Sequence, residues 1–162
     1  MKFCKVRDVK SPNRGTNRSA GLDFYVPYSY NTFILNPGMD VLIPSGIKME
    51  IPKGHMLMAA DKSGVATSKQ ACIIAGRVPK QNCLDSSIII DAKIIDEDYQ
   101  GEIHIHLVNI GKNKVCIKPG MKIAQFILVP VLYEDIEEVP ESNLFKEISE
   151  RGSGAFGSTD SY

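Results

Sequence analysis

The sequence predicts an all-β fold, a sandwich or barrel of short strands. Three observations carry that prediction. Proline and glycine punctuate β-prone runs at residues 37–38, 44–46, 52–54 and 119–120. Residues 101–109 alternate strictly, with Ile103, Ile105 and Leu107 on one face and Glu102, His104 and His106 on the other. Residues 122–131 are apolar almost throughout. Short strands separated by turns every ~8–12 residues read as a sandwich or barrel.

Each element has a local reason. In Pro37-Gly38, Pro44-Ser45-Gly46, Pro52-Lys53-Gly54 and Pro119-Gly120, proline presets φ and glycine accepts a positive φ after it. The runs between the first three turns, and just beyond them, are FIL (33–35), DVLI (40–43), GIKMEI (46–51) and HMLMA (55–59). The period of two over 101–109 predicts a half-buried antiparallel strand. The run 122–131 predicts a strand buried on both faces. Helical signal is weak: a short helix is expected over 64–70 and one or two turns over 142–149. Residues 77–87 (RVPKQNCLDSS) are polar and read as a long excursion between apolar flanks. The last twelve residues, RGSGAFGSTDSY, combine glycines, hydroxyls, an arginine and one aromatic. Taken alone such a tail is disordered, yet this composition also suits wrapping a phosphate.

A chain of 162 residues is thin for two domains. The expected organisation is one β-domain over 1–150, with an extended hairpin near 77–87, and a flexible arm over 151–162. Apolar residues at 43% and charged residues at 23% exclude wholesale disorder. Nineteen basic and nineteen acidic side chains sum to zero, which argues against a nucleic-acid partner. The sum hides a polarity. Lys2, Lys5, Arg7, Lys10, Arg14 and Arg18 crowd the first eighteen residues, and seven acids lie within 133–150. No stretch approaches the ~20 apolar residues that span a bilayer, so no membrane partner is expected. The four cysteines are scattered, without a C-x-x-C pair. Free thiols in a reducing cytoplasm (a host's, if the source is viral) are the economical expectation.

Five motifs carry a resemblance. They are Ala20-Gly21-Leu22-Asp23, Asp61-Lys62-Ser63-Gly64-Val65-Ala66, the run 94–103 (IIDEDYQGEI), the run 119–125 (PGMKIAQ) and the run 151–159 (RGSGAFGST). In this order and at these spacings the chain resembles the trimeric all-β dUTP pyrophosphatases (dUTPases). The resemblance implies a jelly-roll-like barrel, a homotrimer with active sites at subunit boundaries, and a flexible glycine-rich C-terminal arm. It also implies Mg²⁺-dependent hydrolysis of dUTP to dUMP and pyrophosphate.

The resemblance assigns roles residue by residue. Asp96 would hold and activate the attacking water, a role worth roughly 10²–10⁴ in rate. By itself Asp96-Glu97-Asp98 reads as a solvated turn before a strand. Tyr99 would lie under the deoxyribose and leave no room for a 2′-hydroxyl. Backbone groups of the hairpin before Asp96, at Ile94 and Ile95, would read the uracil. Lys62, Ser63, Gly64 and Gln125 would contact phosphates; the alternative for Gln125 is a core amide satisfied by backbone. Arg151, Gly157, Ser158 and Thr159 would close over the outer phosphates, and Phe156 would stack on the base. Asp23 would lie near the metal, in the second shell through water. Mg²⁺ would be held mainly by substrate phosphates and water.

The sequence also departs from the family pattern. Lys62 replaces an arginine and loses its bidentate fork. Met121-Lys122 replaces an Asp-Arg pair, so one structural ion pair is expected to be absent. Ala155 replaces a glycine, and residues 90–93 lack the usual glycines. The 33 positions from Ser63 to Asp96 exceed the family's usual connection. His104 and His106 form an H-x-H pair, read as a solvated or interface pair rather than a metal site. Two other readings stay open: a non-catalytic or regulatory nucleotide-binding protein on the same fold, and a related dCTP deaminase or pyrimidine nucleotide hydrolase.

Overall fold

The computed structural model describes residues 1–61 and 88–154. The expected helix over 64–70, the excursion 77–87 and the site candidates Lys62, Ser63, Gly64, Phe156, Gly157, Ser158 and Thr159 lie outside the described residues. All four predicted turns are present, with Gly38, Gly46, Gly54 and Gly120 at φ between 73° and 75°. Gly46 shows why glycine is required. A Cβ there would stand 2.8 Å from Val9 Cγ1, on a backbone that side chains rarely adopt.

Between these turns run short strands. In chain order they are β1 (Lys2–Lys5), β2 (Asn13–Arg14), β3 (Gly21–Tyr25), β4 (Phe33–Leu35), β5 (Asp40–Pro44) and β6 (Ile47–Glu50). Then come β7 (His55–Asp61), β8 (Ile88–Ile90), β9 (Ile94–Ile95), β10 (His104–Asn109), β11 (Val115–Ile117) and β12 (Lys122–Pro130). Helix α1 is a single turn, Glu141–Leu144, at the start of the segment where one or two turns were expected. The fold is all-β, as predicted.

The strands pair antiparallel throughout. The largest sheet has the order β2-β3-β12-β7-β9, and a second has β5-β10-β8. The pairs β1-β6 and β11-β4 complete the set. The alternation predicted over 101–109 is real: Ile103, Ile105 and Leu107 are buried while Glu102, His104 and His106 are half-exposed. Regular pairing starts only at His104. Strand β12 corrects its expectation in part. Ile123, Ala124 and Phe126 are buried, but Ile127, Leu128 and Val129 keep partial exposure. The core gathers the inward residues of both larger sheets, including Phe24 and Phe126 with ring centroids 4.5 Å apart. Burying one such aromatic contributes roughly 1.5–3 kcal/mol.

The chain divides into two units, Met1–Leu132 and a second that begins at Tyr133. The described part of the second contains α1, which buries no residue. No helix among the described residues is long and apolar enough to cross a membrane.

Candidate functional site

Four of the sequence-predicted residues meet in one place. Ile94, Ile95, Asp96 and Tyr99 line a pocket of about 190 Å³. Leu42, Ala92 and His104 complete its wall. The pocket lies where β9 leaves the large sheet and β5 and β10 run alongside each other. Strand β9 pairs with β7 (Leu57 opposite Ile95, Met58 opposite Ile94). The amide of Asp91 donates to His106 O at 3.1 Å, and that of Ala59 to Lys93 O at 2.6 Å. The backbone of 91–95 is thus tied to both sheets at the pocket edge.

Asp96 opens a tight turn: the amide of Tyr99 donates to its carbonyl at 3.2 Å. Asp96 is exposed and is one of the pocket's lining residues. Glu97 points the other way and accepts a hydrogen bond from the amide of Gly54, which clips the turn to the β6–β7 connection. Tyr99 folds back over Gly101. A Cβ at Gly101 would stand 2.5 Å from Tyr99 Cζ and collide with the phenol oxygen. The phenol donates to Glu102 O at 2.9 Å. His104 Nδ1 also donates to Glu102 O, at 2.8 Å. A carbonyl only accepts, so in the neutral ring Nε2 is left as an acceptor.

Two of the other predicted residues, Asp23 and Gln125, form a second group on the large sheet. Asp23 on β3 and Gln125 on β12 are directly opposed, as are Gln125 and Ala60 on β7. They therefore share one face. Gln125 Nε2 donates to Asp61 O at 3.0 Å, so part of its amide is satisfied by backbone. Asp61 itself braces the pocket side, accepting from the amide of Ile90 at 2.7 Å. Gly21 makes room for this amide, since a Cβ there would lie 2.6 Å from Gln125 Oε1. Asp23 is 4% exposed and its Oδ2 accepts from Lys122 Nζ at 2.6 Å. That hydrogen bond, against the opposing effect of burial, holds the Lys122 pKa above its ordinary value. So Lys122, where an ion pair was expected to be missing, makes one of its own.

The two groups do not meet within one chain. The row of Asp23, Gln125 and Ala60 and the row of Ile95 and Leu57 are offset along β7. Asp96 lies three strand spacings and about four residues from Asp23, close to 20 Å at ~4.8 Å per strand and ~3.3 Å per residue. Arg151, in the second unit, donates from Nε to Gly154 O at 3.1 Å within its own turn.

His106 takes no part in the pocket. Its Nε2 lies 2.8 Å from Asp40 Oδ2 and its Nδ1 3.5 Å from Asp91 Oδ2. The hydrogen bond from His106 holds the Asp40 carboxyl below its ordinary range. Leu42, Ala92, Asp61 and the pocket role of His104 were not foreseen. For Asp61 a signal existed, because it opens the second motif. Leu42 and His104 come together only through the β5–β10 register, in which Leu42 opposes His106 and Pro44 opposes His104.

Comparison with known proteins places this architecture. The dUTPase family model matches residues 7–160. A rat deoxyuridine 5′-triphosphate nucleotidohydrolase is 36% identical over 161 residues, covering 98% of this chain and 66% of the rat protein. The Chlamydia trachomatis serovar L2 enzyme of the same name is 34% identical, covering 97% of this chain and 96% of its own length. The Staphylococcus bacteriophage 80alpha dUTPase, solved with dUpNHpp, superposes with a TM-score of 0.75 at 21% identity, covering 99% of this chain and 98% of its own. The fold is shared with the phage protein and the sequence with the rat and bacterial ones. The chain belongs to the dUTPase family.

Proposed function

We propose that this chain hydrolyses dUTP to dUMP and pyrophosphate. The convergence of Ile94, Ile95, Asp96 and Tyr99 on one pocket carries the reading. An apolar floor with a tyrosine beside it suits a nucleoside. An exposed carboxylate at its mouth suits a water held for in-line attack. In the step, the water oxygen bonds to the α-phosphorus and Asp96 takes its proton. The bridging bond to the β-phosphate breaks and pyrophosphate leaves. The Tyr99 ring packs under the deoxyribose and excludes a 2′-hydroxyl by contact. Backbone groups of 91–95 read the base, which lets a site of fixed donors and acceptors reject cytosine. Lys62, Ser63, Gly64 and Gln125 meet the phosphates. Arg151, Phe156, Gly157, Ser158 and Thr159 close over the nucleotide.

When bound, Mg²⁺ supplies neutralisation of phosphate charge. Asp23 fits a position in its outer shell. A buried carboxylate already paired with an ammonium is suited to accept a hydrogen bond from the ion's hydration water rather than to ligate it. The separation of Asp23 and Gln125 from Asp96 supports a site completed by neighbouring chains, and so a homotrimer.

The test is pyrophosphate release with Mg²⁺ across dUTP, dCTP, dTTP and UTP. Turnover of dUTP above the other three is expected, and Asp96→Asn is expected to lower kcat by about 10²–10⁴ while nucleotide binding persists. No turnover of any nucleotide would remove the enzymatic reading. Ammonia release from dCTP would replace it with a deaminase.

A further inference from the structure

We propose that Glu102, clamped by Arg7, is a positioning residue that sets two walls of the pocket and thereby the discrimination between deoxyribose and ribose. The inference rests on the functional reading above and deepens it. Its basis is the peptide unit that joins Glu102 to Ile103. The carbonyl of that unit is the single acceptor for both Tyr99 Oη, at 2.9 Å, and His104 Nδ1, at 2.8 Å. Both donors line the pocket. One carbonyl has two lone pairs, so it can hold both at once. Where this carbonyl points therefore fixes the tyrosine ring and the imidazole together.

The unit is anchored on its other sides. Its N–H donates to Ile47 O at 2.9 Å. The Glu102 carboxylate receives three further bonds. Arg7 donates from Nε to Oε1 at 2.7 Å and from a terminal nitrogen to Oε2 at 3.1 Å. The amide of Gly46 donates to Oε1 at 2.7 Å. This two-pronged arginine contact is the strong and directional form of an ion pair. Its carboxylate end is largely buried, with 14% of the Glu102 side chain exposed against 44% of Arg7. Burial alone would raise the Glu102 pKa. The hydrogen bonds from Arg7 and Gly46 outweigh it and leave the carboxyl below its ordinary range. The clamp is therefore charged at neutral pH.

The N-terminal segment is threaded into the same junction. The amide of Val6 donates to Gly46 O at 2.8 Å, and the amide of Ser45 donates to Ile103 O at 2.9 Å. Arg7 thus reaches Glu102 from a part of the chain 95 positions away. Neither residue lines the pocket, so each acts through Tyr99 and His104.

The experiment measures kcat and KM for dUTP and for UTP in the wild type, Glu102→Gln, Arg7→Met, Arg7→Lys and the double variant Arg7→Met/Glu102→Gln. Lys2→Met, which removes only an exposed surface pair with Glu50, is the control. The dUTP-over-UTP ratio of kcat/KM is expected to fall about tenfold in Glu102→Gln and in Arg7→Met, the equivalent of one displaced hydrogen bond. It is expected to fall less in Arg7→Lys and to stay unchanged in Lys2→Met. The double variant should lose no more than the worse single, because the two residues act as one unit. A wild-type ratio in Arg7→Met, whose exposed site tolerates substitution even if Glu102→Gln does not fold, overturns the proposal. A uniform fall of both substrates' kcat/KM at constant ratio does so too, as it marks a merely structural role. A wild type without dUTP turnover overturns the functional reading itself, and the proposal with it.

Discussion

Gly101→Ala isolates the contact between Tyr99 and its own loop. A Cβ at Gly101 would sit 2.5 Å from Tyr99 Cζ and 3.0 Å from Cε2, where ordinary contacts begin at 3.4 Å. The ring must retreat by about 0.9 Å at Cζ to restore contact distance. That retreat stretches the 2.9 Å bond from the phenol to Glu102 O beyond hydrogen-bonding range. Gly101 has no left-handed φ to lose, and Tyr99 is 42% exposed, so the ring has somewhere to go. The folded state is accordingly expected to lose about 1 kcal/mol, the worth of that bond, and to remain folded. The pocket loses the bond, worth about 1 kcal/mol, and the seat of the sugar with it. A loss of 1–2 kcal/mol corresponds to roughly 5–30-fold in kcat/KM for dUTP. UTP turnover should fall less, so the preference for the deoxy substrate narrows. Steady-state kinetics on both nucleotides, with a urea melt as control, reads all of this. Wild-type kcat/KM and a wild-type dUTP-to-UTP ratio in a folded Gly101→Ala protein would refute the reasoning.

Gly46→Ala should be a stability mutant instead. The left-handed backbone costs about 1–2 kcal/mol and overpacking against Val9 about 1–3, so a urea midpoint near wild type would contradict it. The pH dependence of stability follows from Glu102. Its folded pKa lies below its ordinary value of 4.5, so its contribution is complete above about pH 5 and is lost as pH falls through the lowered value. Melting temperature should drop on the acid side, and Glu102→Gln should flatten that limb; an identical acid profile would show that the clamp does not titrate. Mixing Asp96→Asn with Gln125→Ala chains after joint refolding should restore part of the dUTP turnover that each lacks alone. Absence of any recovery, with mixed oligomers demonstrated, would argue that one chain holds a complete site.

The parts of this fold that were legible in the sequence are those with a local cause. The Pro-Gly turns name their own backbone, and all four glycines took up positive φ. The alternation of Ile103, Ile105 and Leu107 needs only period two to be read. Strands β2 and β9 are two residues long and carry no period at all. Strand β8 is three isoleucines, alike in sequence though they alternate in burial. The same division runs through the site. Asp96 and Tyr99 sit in one contiguous motif, and the structure brings them together. Leu42 and His104 join them through strand register, which no short window contains. The long run at β12 misled by its composition, because Ile127, Leu128 and Val129 are apolar yet keep partial exposure in the single chain.

The pocket's own composition bears on which end of a nucleotide the proposed function would place in it. Among its described lining residues there is no lysine or arginine. Leu42, Ala92, Ile94 and Ile95 make it apolar, His104 adds an imidazole, and Asp96 adds a carboxylate. A triphosphate placed there would meet a like-charged carboxylate and no cation among the described lining residues. A deoxyribose and base would meet apolar walls and backbone polar groups instead. In the proposed function the nucleoside fills the pocket, and only the α-phosphate comes near Asp96, where its water is needed. Of the described cations, Arg7 is taken up by Glu102 and Lys122 by Asp23, while Lys93 stands exposed between the lining residues Ala92 and Ile94. Under the proposed function, neutralising the phosphates falls to Lys62, Arg151 and Mg²⁺. A chain of zero net charge can serve a highly charged substrate on these terms. Arg7 goes into a pair that shapes the pocket, and in the proposed function the charge for the phosphates comes from outside the pocket's described lining.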